Sequence, residues 1–201
     1  MNTEQDNVYY KNEYIRIFEE NIHREGSDKL LDWLKKSDFF YAPASTKFHS
    51  AHIGGLCEHS VKAYYRFMQL LDVEYDGEWE DKISQESVAV IALLHDLCKV
   101  NYYKIEERNV KENGEWVKKP YYTVEDNLPY GHGEKSVYIA SGFMRLSREE
   151  AMAINWHMGG YDQRVLGGSY ALSDVFSKYP ISLLFHIADL QSTYLDETNK
   201  E

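Results

Sequence analysis

Val88-Ala89-Val90-Ile91-Ala92-Leu93-Leu94-His95-Asp96 decides the fold. Its first seven residues are apolar on every side. A helix of that kind runs through the middle of a domain rather than along its surface. Ser84 stands where an N-cap belongs. The rod then ends in His95-Asp96, two polar groups that are costly to bury.

Working outward, the flanking segments keep helical spacing. Tyr10, Tyr14, Ile17, Phe18 and Ile22 predict a helix from Tyr10 to Arg24. Gly26 stops it, and Ser27 or Asp28 caps a second helix that carries Leu30, Leu31, Trp33 and Leu34 and ends near Asp38. Residues 39–54 read as irregular, punctuated by Pro43 and Gly54-Gly55. A helix follows from Leu56 to Leu71, with Leu56, Ser60, Ala63, Phe67 and Leu70 on its inner stripe. Residues 72–86, with seven acids and one lysine, are expected to be an exposed connection.

Beyond the central rod the texture changes. Residues 101–124 are rich in Tyr, Val, Ile and Trp, and Asn113-Gly114 sits between their two halves. Asn-Gly favours the type I′ turn, in which both central residues take positive φ, so a β-hairpin is expected there. Pro120 is tolerable on an edge, and the hairpin is expected to wall any pocket beside it. Helical spacing returns from Glu134 to Leu146. Ser147-Arg148-Glu149-Glu150 matches a capping box that opens a helix to His157. Residues 161–179 read as a loop with a short helix from Ser173. Pro180 suits the first turn of a last helix, which runs to about Asp196. The 201 residues are read as a single, mainly helical domain, with the N-terminal helices of residues 8–38 packed on the rest.

Composition narrows the function classes. The formal net charge of -11 disfavours polyanions, so nucleic acid is not the expected partner. A small anionic substrate held by metal ions stays compatible with that charge. No apolar run approaches the ~20 residues of a membrane helix, and the polar, acidic start lacks a secretory signal; the expected location is the cytoplasm. The two cysteines, Cys57 and Cys98, exclude a disulfide framework and a cysteine zinc site, and read as reduced thiols. Asn199-Lys200-Glu201 reads as a frayed end.

The eight histidines form a pattern. His23 reads as a surface residue. His59 lies on the first core helix, His95-Asp96 close the buried rod, His132 sits just before a helix start, and His157 lies at a helix end. Asp189 interrupts the apolar last helix. Ionisable groups are rarely buried without a partner, so one shared centre is expected. A divalent ion, one or two of Mn, Fe, Co, Ni, Zn or Mg, would satisfy imidazole and carboxylate together.

The spacing His59, His95-Asp96, Asp189 resembles the H…HD…D signature of the HD-domain metal-dependent phosphohydrolase superfamily. Gly54-Gly55-Leu56-Cys57-Glu58-His59-Ser60 resembles its G-G-L-x-x-H-S segment. His95-Asp96-Leu97-Cys98-Lys99 resembles H-D-x-x-K, with Cys98 where glycine is common. Gly131-His132-Gly133-Glu134-Lys135-Ser136 resembles G-H-x-E-x-S. Trp156-His157-Met158-Gly159 resembles W-H-H-G with its second histidine replaced, and Ala188-Asp189 resembles the A-D of the last helix. The motifs span residues 54–189, about two-thirds of the chain. Within the superfamily, His49-x-x-His52 is similar to the HD domain of YhaM-type exoribonucleases.

The resemblance implies an all-α HD-domain helical bundle with the inserted hairpin. By the same resemblance His59, His95, Asp96 and Asp189 would hold one metal, and His132 and His157, with Asp96 bridging, a second. Met158 departs from the dinuclear pattern, so the second ion is expected to bind weakly. The implied activity is hydrolysis of a phosphoester, of a nucleotide or a small phosphorylated metabolite, through metal-activated water. Asp96 and Lys99 would be catalytic, and Lys99, His52 and Arg164 would meet the substrate. Arg164, Lys178 and Gly167-Gly168 would form a lid over the phosphate. His186, one turn before Asp189, would support the ligands. A 3′-5′ nuclease, a di-iron oxygenase of the same type and a silent nucleotide-binding module are the alternative functions.

Overall fold

A computed structural model describes residues 4–197; Asn199-Lys200-Glu201 lies outside them. The chain is mostly helical with one two-stranded antiparallel sheet. The helices are α1 (Glu4–Asn21), α2 (Ser27–Lys36), α3 (Gly55–Glu74), α4 (Gln85–Leu94), α5 (His132–Ser141), α6 (Arg148–Trp156), α7 (Gln163–Leu166), α8 (Ala171–Lys178) and α9 (Pro180–Gln191). The strands β1 (Tyr103–Glu112) and β2 (Glu115–Val124) lie between α4 and α5.

The apolar rod is the middle of the fold. Val88 through Leu94 are fully buried in α4, which packs against α1, α3 and α6. Ser84 caps it, accepting from the Ser87 N–H. At the other end the Tyr14 hydroxyl of α1 donates to the Leu93 carbonyl at 3.0 Å, satisfying one acceptor that a helix end leaves open. α3 and α9 pack on one another, and α9 also covers α6. The ends of α4, α5 and α6 and the inner faces of α3 and α9 thereby meet at one point.

Several boundaries differ from the sequence expectation. α1 begins at Glu4 rather than Tyr10 and ends at Asn21, whose side-chain amide donates to the Ile17 carbonyl at 2.7 Å. Residues 72–86 are not a wholly exposed connection. Trp79, in a 3-10 turn, and Ile83, just after it, are buried, and the indole N–H donates to Asp72 at 2.7 Å. α5 includes His132 and stops at Ser141; the chain then turns so that Met144 reaches the core. The segment 161–179 holds α7 as well as the short helix expected from Ser173, which forms as α8 two residues earlier. The capping box of Ser147 and Glu150 forms as read.

The hairpin also forms, turning at Asn113 (φ 49°) and Gly114 (φ 91°). The register pairs Tyr103 with Val124 and Glu112 with Glu115. Both strands are largely exposed, and Trp116 at the tip is 71% exposed. Only the base is anchored, where the Tyr103 hydroxyl donates to the Ala44 carbonyl at 3.1 Å.

Candidate metal centre

Asp96 follows His95, the C-cap of α4, and opens a single 3-10 turn, Leu97–Lys99. That turn folds Lys99 back, and its Nζ lies 2.6 Å from Asp96 Oδ2. Both groups are buried. Lys99 therefore faces the Asp96 carboxylate rather than open space.

The two oxygens of Asp96 face different partners. On the Oδ2 side, His59 Nε2 lies 3.6 Å and His95 Nε2 3.4 Å away. His59 Nε2 is also 3.1 Å from His95 Nε2 and 3.1 Å from Asp189 Oδ1. On the Oδ1 side, His132 Nε2 lies 3.0 Å and His157 Nε2 3.6 Å away. Cys98 Sγ is 3.9 Å from the same oxygen. All six residues expected to hold metal thus converge on one point.

Local folding explains the convergence. A Cβ on Gly133 would stand 2.1 Å from the Asn155 carbonyl oxygen. Only glycine lets the start of α5 cross the end of α6 so closely, and that crossing sets His132 beside His157, ring centres 5.3 Å apart. His59 projects from α3 and Asp189 from α9.

Proton positions follow from the outer contacts. His95 Nδ1 lies 2.8 Å from the Ala92 carbonyl, and His157 Nδ1 2.7 Å from the Ile154 carbonyl. A carbonyl only accepts, so each Nδ1 carries the proton and each Nε2 presents a lone pair inward. His157 Nε2 is buried with no hydrogen-bond partner. Lone pairs facing carboxylate oxygens at these distances call for a proton or a metal cation between them. The charge count agrees. Asp96, Asp189 and Glu197 are three carboxylates about two cationic groups, the Lys99 ammonium and the His59 ring, which leaves one negative charge unmatched. The residues therefore fit a divalent cation in a mixed N,O site.

The titration directions express the same demand. Burial opposes protonation of His59, yet Glu197 and Asp189 outweigh it and hold the ring up at about 10. Burial pushes the Asp96 carboxyl upward, but Lys99 and His95 hold it well below the usual range. Burial drives His95 and His132 down. Burial, then Asp96, pushes the Cys98 thiol up to about 12.

Glu197 is the site residue that sequence reading missed. It follows a π-helical turn, Ser192–Asp196, that extends α9. Its Oε1 lies 2.8 Å from His59 Nδ1, and its Oε2 accepts from the Ser50 hydroxyl at 2.8 Å. Burial resists ionisation, but His59 holds the carboxyl down at about 2. Arg66 fastens the turn by pairing with Asp196. No motif marks Glu197; only the fold brings it back.

Other expected residues are placed differently. His52 Nε2 lies 3.4 Å from Glu58, and it is His49 whose ring stands 5.1 Å from that of His59. His186 Nδ1 donates to the His157 carbonyl at 2.6 Å, a supporting contact. Arg164 lines a cavity of about 300 Å³ together with His132, Cys98, Met158 and Tyr161. Its guanidinium stacks 3.7 Å from the Trp156 ring centre and pairs with Asp162 and Glu134. Lys178 pairs with Asp174 on the surface and does not line that cavity. Tyr102 and Asp126, which flank the hairpin, line the cavity; the strands do not. The expected pocket wall is thus the base of the hairpin alone. His23 is exposed, as read.

Comparison with protein-family models, with curated proteins and with solved structures gives no match. Among the described residues no helix is long and apolar enough to cross a membrane.

Proposed function

We propose that the chain is a divalent-metal-dependent phosphohydrolase of the HD-domain type, acting on a small phosphorylated substrate. The observation that carries this reading is that four histidines, His59, His95, His132 and His157, turn Nε2 toward the two oxygens of one buried carboxylate, with His157 Nε2 unpartnered. His59, His95, Asp96 and Asp189 would hold one ion; Asp96, His132 and His157 would hold a second. Bound there, divalent ions would supply a hydroxide near neutral pH and neutralise phosphate oxygens.

The chain's own residues do the rest. The Ala92 and Ile154 carbonyls keep His95 and His157 in the tautomer that binds metal. Asp96 holds both halves together through its two oxygens. Lys99 neutralises Asp96 from the Oδ2 side, and with cations on that carboxylate its Nζ would be able to meet a phosphoryl oxygen. Substrate approaches from the His132 side, where the cavity opens. Its lining cations, Arg164 and Lys135, are each matched by carboxylates. The substrate's charge must therefore be met at the centre, which favours a small ester over a polyanion.

The test is a panel of phosphomonoesters, phosphodiesters and one oligonucleotide, assayed with Mn, Co, Ni and Mg. Turnover of a small phosphoester that disappears in His95→Ala supports the reading. Turnover of the oligonucleotide alone favours a nuclease. Affinity for nucleotides without product, in metal-loaded protein, overturns hydrolysis.

A further inference from the structure

Resting on the proposed metal-dependent chemistry, we propose that Cys98 is a ligand of the open half of the centre and, with Asp96, His132 and His157, selects zinc, cobalt(II) or iron(II) over magnesium and manganese. The thiol is not simply buried filler. Its Sγ lies 3.3 Å from His132 Nε2 and 3.9 Å from Asp96 Oδ1. The 3-10 turn after Asp96 carries it, and the Cys98 N–H, donating to Ser136 Oγ at 3.0 Å, fixes that turn against α5.

The independent pointer to a ligand is His157. Its ring is 1% exposed, its Nε2 has no hydrogen-bond partner, and that atom lies 3.6 Å from the same Asp96 oxygen. Geometry agrees with a tetrahedral ion. Metal bonds of roughly 2.0–2.3 Å give ligand-to-ligand edges of roughly 3.3–3.6 Å. The separations here, from 3.0 Å for His132–Asp96 to 3.9 Å for Cys98–Asp96, bracket that range. Asp96, Cys98 and His132 offer ligand atoms that all lie within 4.8 Å of one another and can therefore close around one cation, and His157 Nε2 lies 3.6 Å from the Asp96 oxygen they share.

Chemistry then sets the choice of metal. Sulfur donors favour soft and borderline ions, whereas magnesium and manganese prefer oxygen. Met158 also lines the cavity, but its thioether carries no charge and is a poor partner for a hard ion. Cys98 loses its proton to solvent as the sulfur–metal bond forms, and brings a full negative charge to the site. Cys57 is the internal contrast. It is equally buried, yet its Sγ donates to the Tyr10 carbonyl at 3.4 Å, and among the described residues it belongs to no ligand cluster.

The experiment is a cobalt(II) titration of the chelator-stripped full-length chain, followed by optical spectroscopy. Wild type should develop a thiolate-to-cobalt charge-transfer band in the near ultraviolet, and Cys98→Ser should lack it while keeping the visible cobalt bands. In zinc–magnesium competition, Cys98→Ser should lose roughly tenfold or more of the zinc preference. Cobalt binding to wild type without the charge-transfer band overturns the assignment of Cys98 and leaves the phosphohydrolase reading standing; this holds even if the variant fails to fold. An unchanged zinc preference in folded Cys98→Ser overturns it as well. No cobalt binding by wild type overturns both.

Discussion

The two sides of the Asp96 carboxylate are built differently. On the Oδ2 side the partners are sealed: His59 and His95 are buried, Asp189 closes the site from α9, and Glu197 locks His59 from behind. On the Oδ1 side the His132 side chain is 31% exposed and opens onto the cavity. Such a contrast divides the labour of one centre. The sealed half suits an ion that stays; the open half suits an ion that exchanges and meets substrate. One carboxylate joins the halves, so a change at Asp96 reaches both, whereas a change at a residue of one half can be read apart from the other.

The largest break in this comparison is expected at Asp96 itself. Asp96→Asn removes the anionic bridge of both halves. Phosphohydrolase activity should fall by roughly a thousandfold or more, read as kcat/KM on the best substrate of the panel.

Emptying the centre in wild type is the next test. Chelation should leave Asp189, Asp96 and Glu197 facing one another and lower the unfolding free energy by roughly 3 kcal/mol, the linkage of an ion held about a hundredfold above its Kd. Urea melts with and without chelator measure it, and His95→Ala should show no difference between the two.

A finer cut separates the halves. His157→Ala should erase the activation by added divalent metal while the sealed ion survives dialysis. Glu197→Gln should do the reverse, weakening the sealed ion by roughly 10–100-fold, as loss of an outer partner commonly does. Dialysis against graded chelator distinguishes the two variants; identical behaviour would mean that the halves are not distinct.

The smallest effect on the centre comes from a remote pair. Glu150 is buried and bonded to Arg24 and Ser87. Burial raises its carboxyl pKa, but Arg24 and the Ser147 N–H outweigh that and hold it below 4.5. A carboxyl lowered in the folded state contributes stability above its unfolded pKa, and that contribution fades as pH falls through the folded value. Glu150→Gln should cost roughly 3 kcal/mol at pH 7 and progressively less below about pH 4.5. Its metal content should match wild type, as atomic emission would register.

Much of this was legible because apolar runs and caps act locally. The α4 rod, the Ser147 cap and the Asn113-Gly114 turn are set by neighbours in sequence. The residues Asp96, His132, His157 and Asp189 stood out because polar groups at buried helix ends need partners. Glu197 did not, since nothing local distinguishes it from other acidic residues near a chain end. The π-helical turn and the Ser50 contact that bring it to His59 are long-range. Cys98 was set aside because two cysteines cannot make a cysteine zinc site, a count that ignores mixed ligand sets. His52 is the expected substrate contact, whereas the turn at Ser50, with φ 41°, lies between the two histidines and it is His49 whose ring stands beside that of His59.

The central claim is that Asp96 bridges a metal site built from five helices. Elemental analysis of the purified full-length chain and of Asp96→Ala tests it most directly. The account predicts at least one divalent ion per wild-type chain and none in the variant. A metal-free wild type that cannot be loaded, or a variant with the wild-type complement, would contradict it.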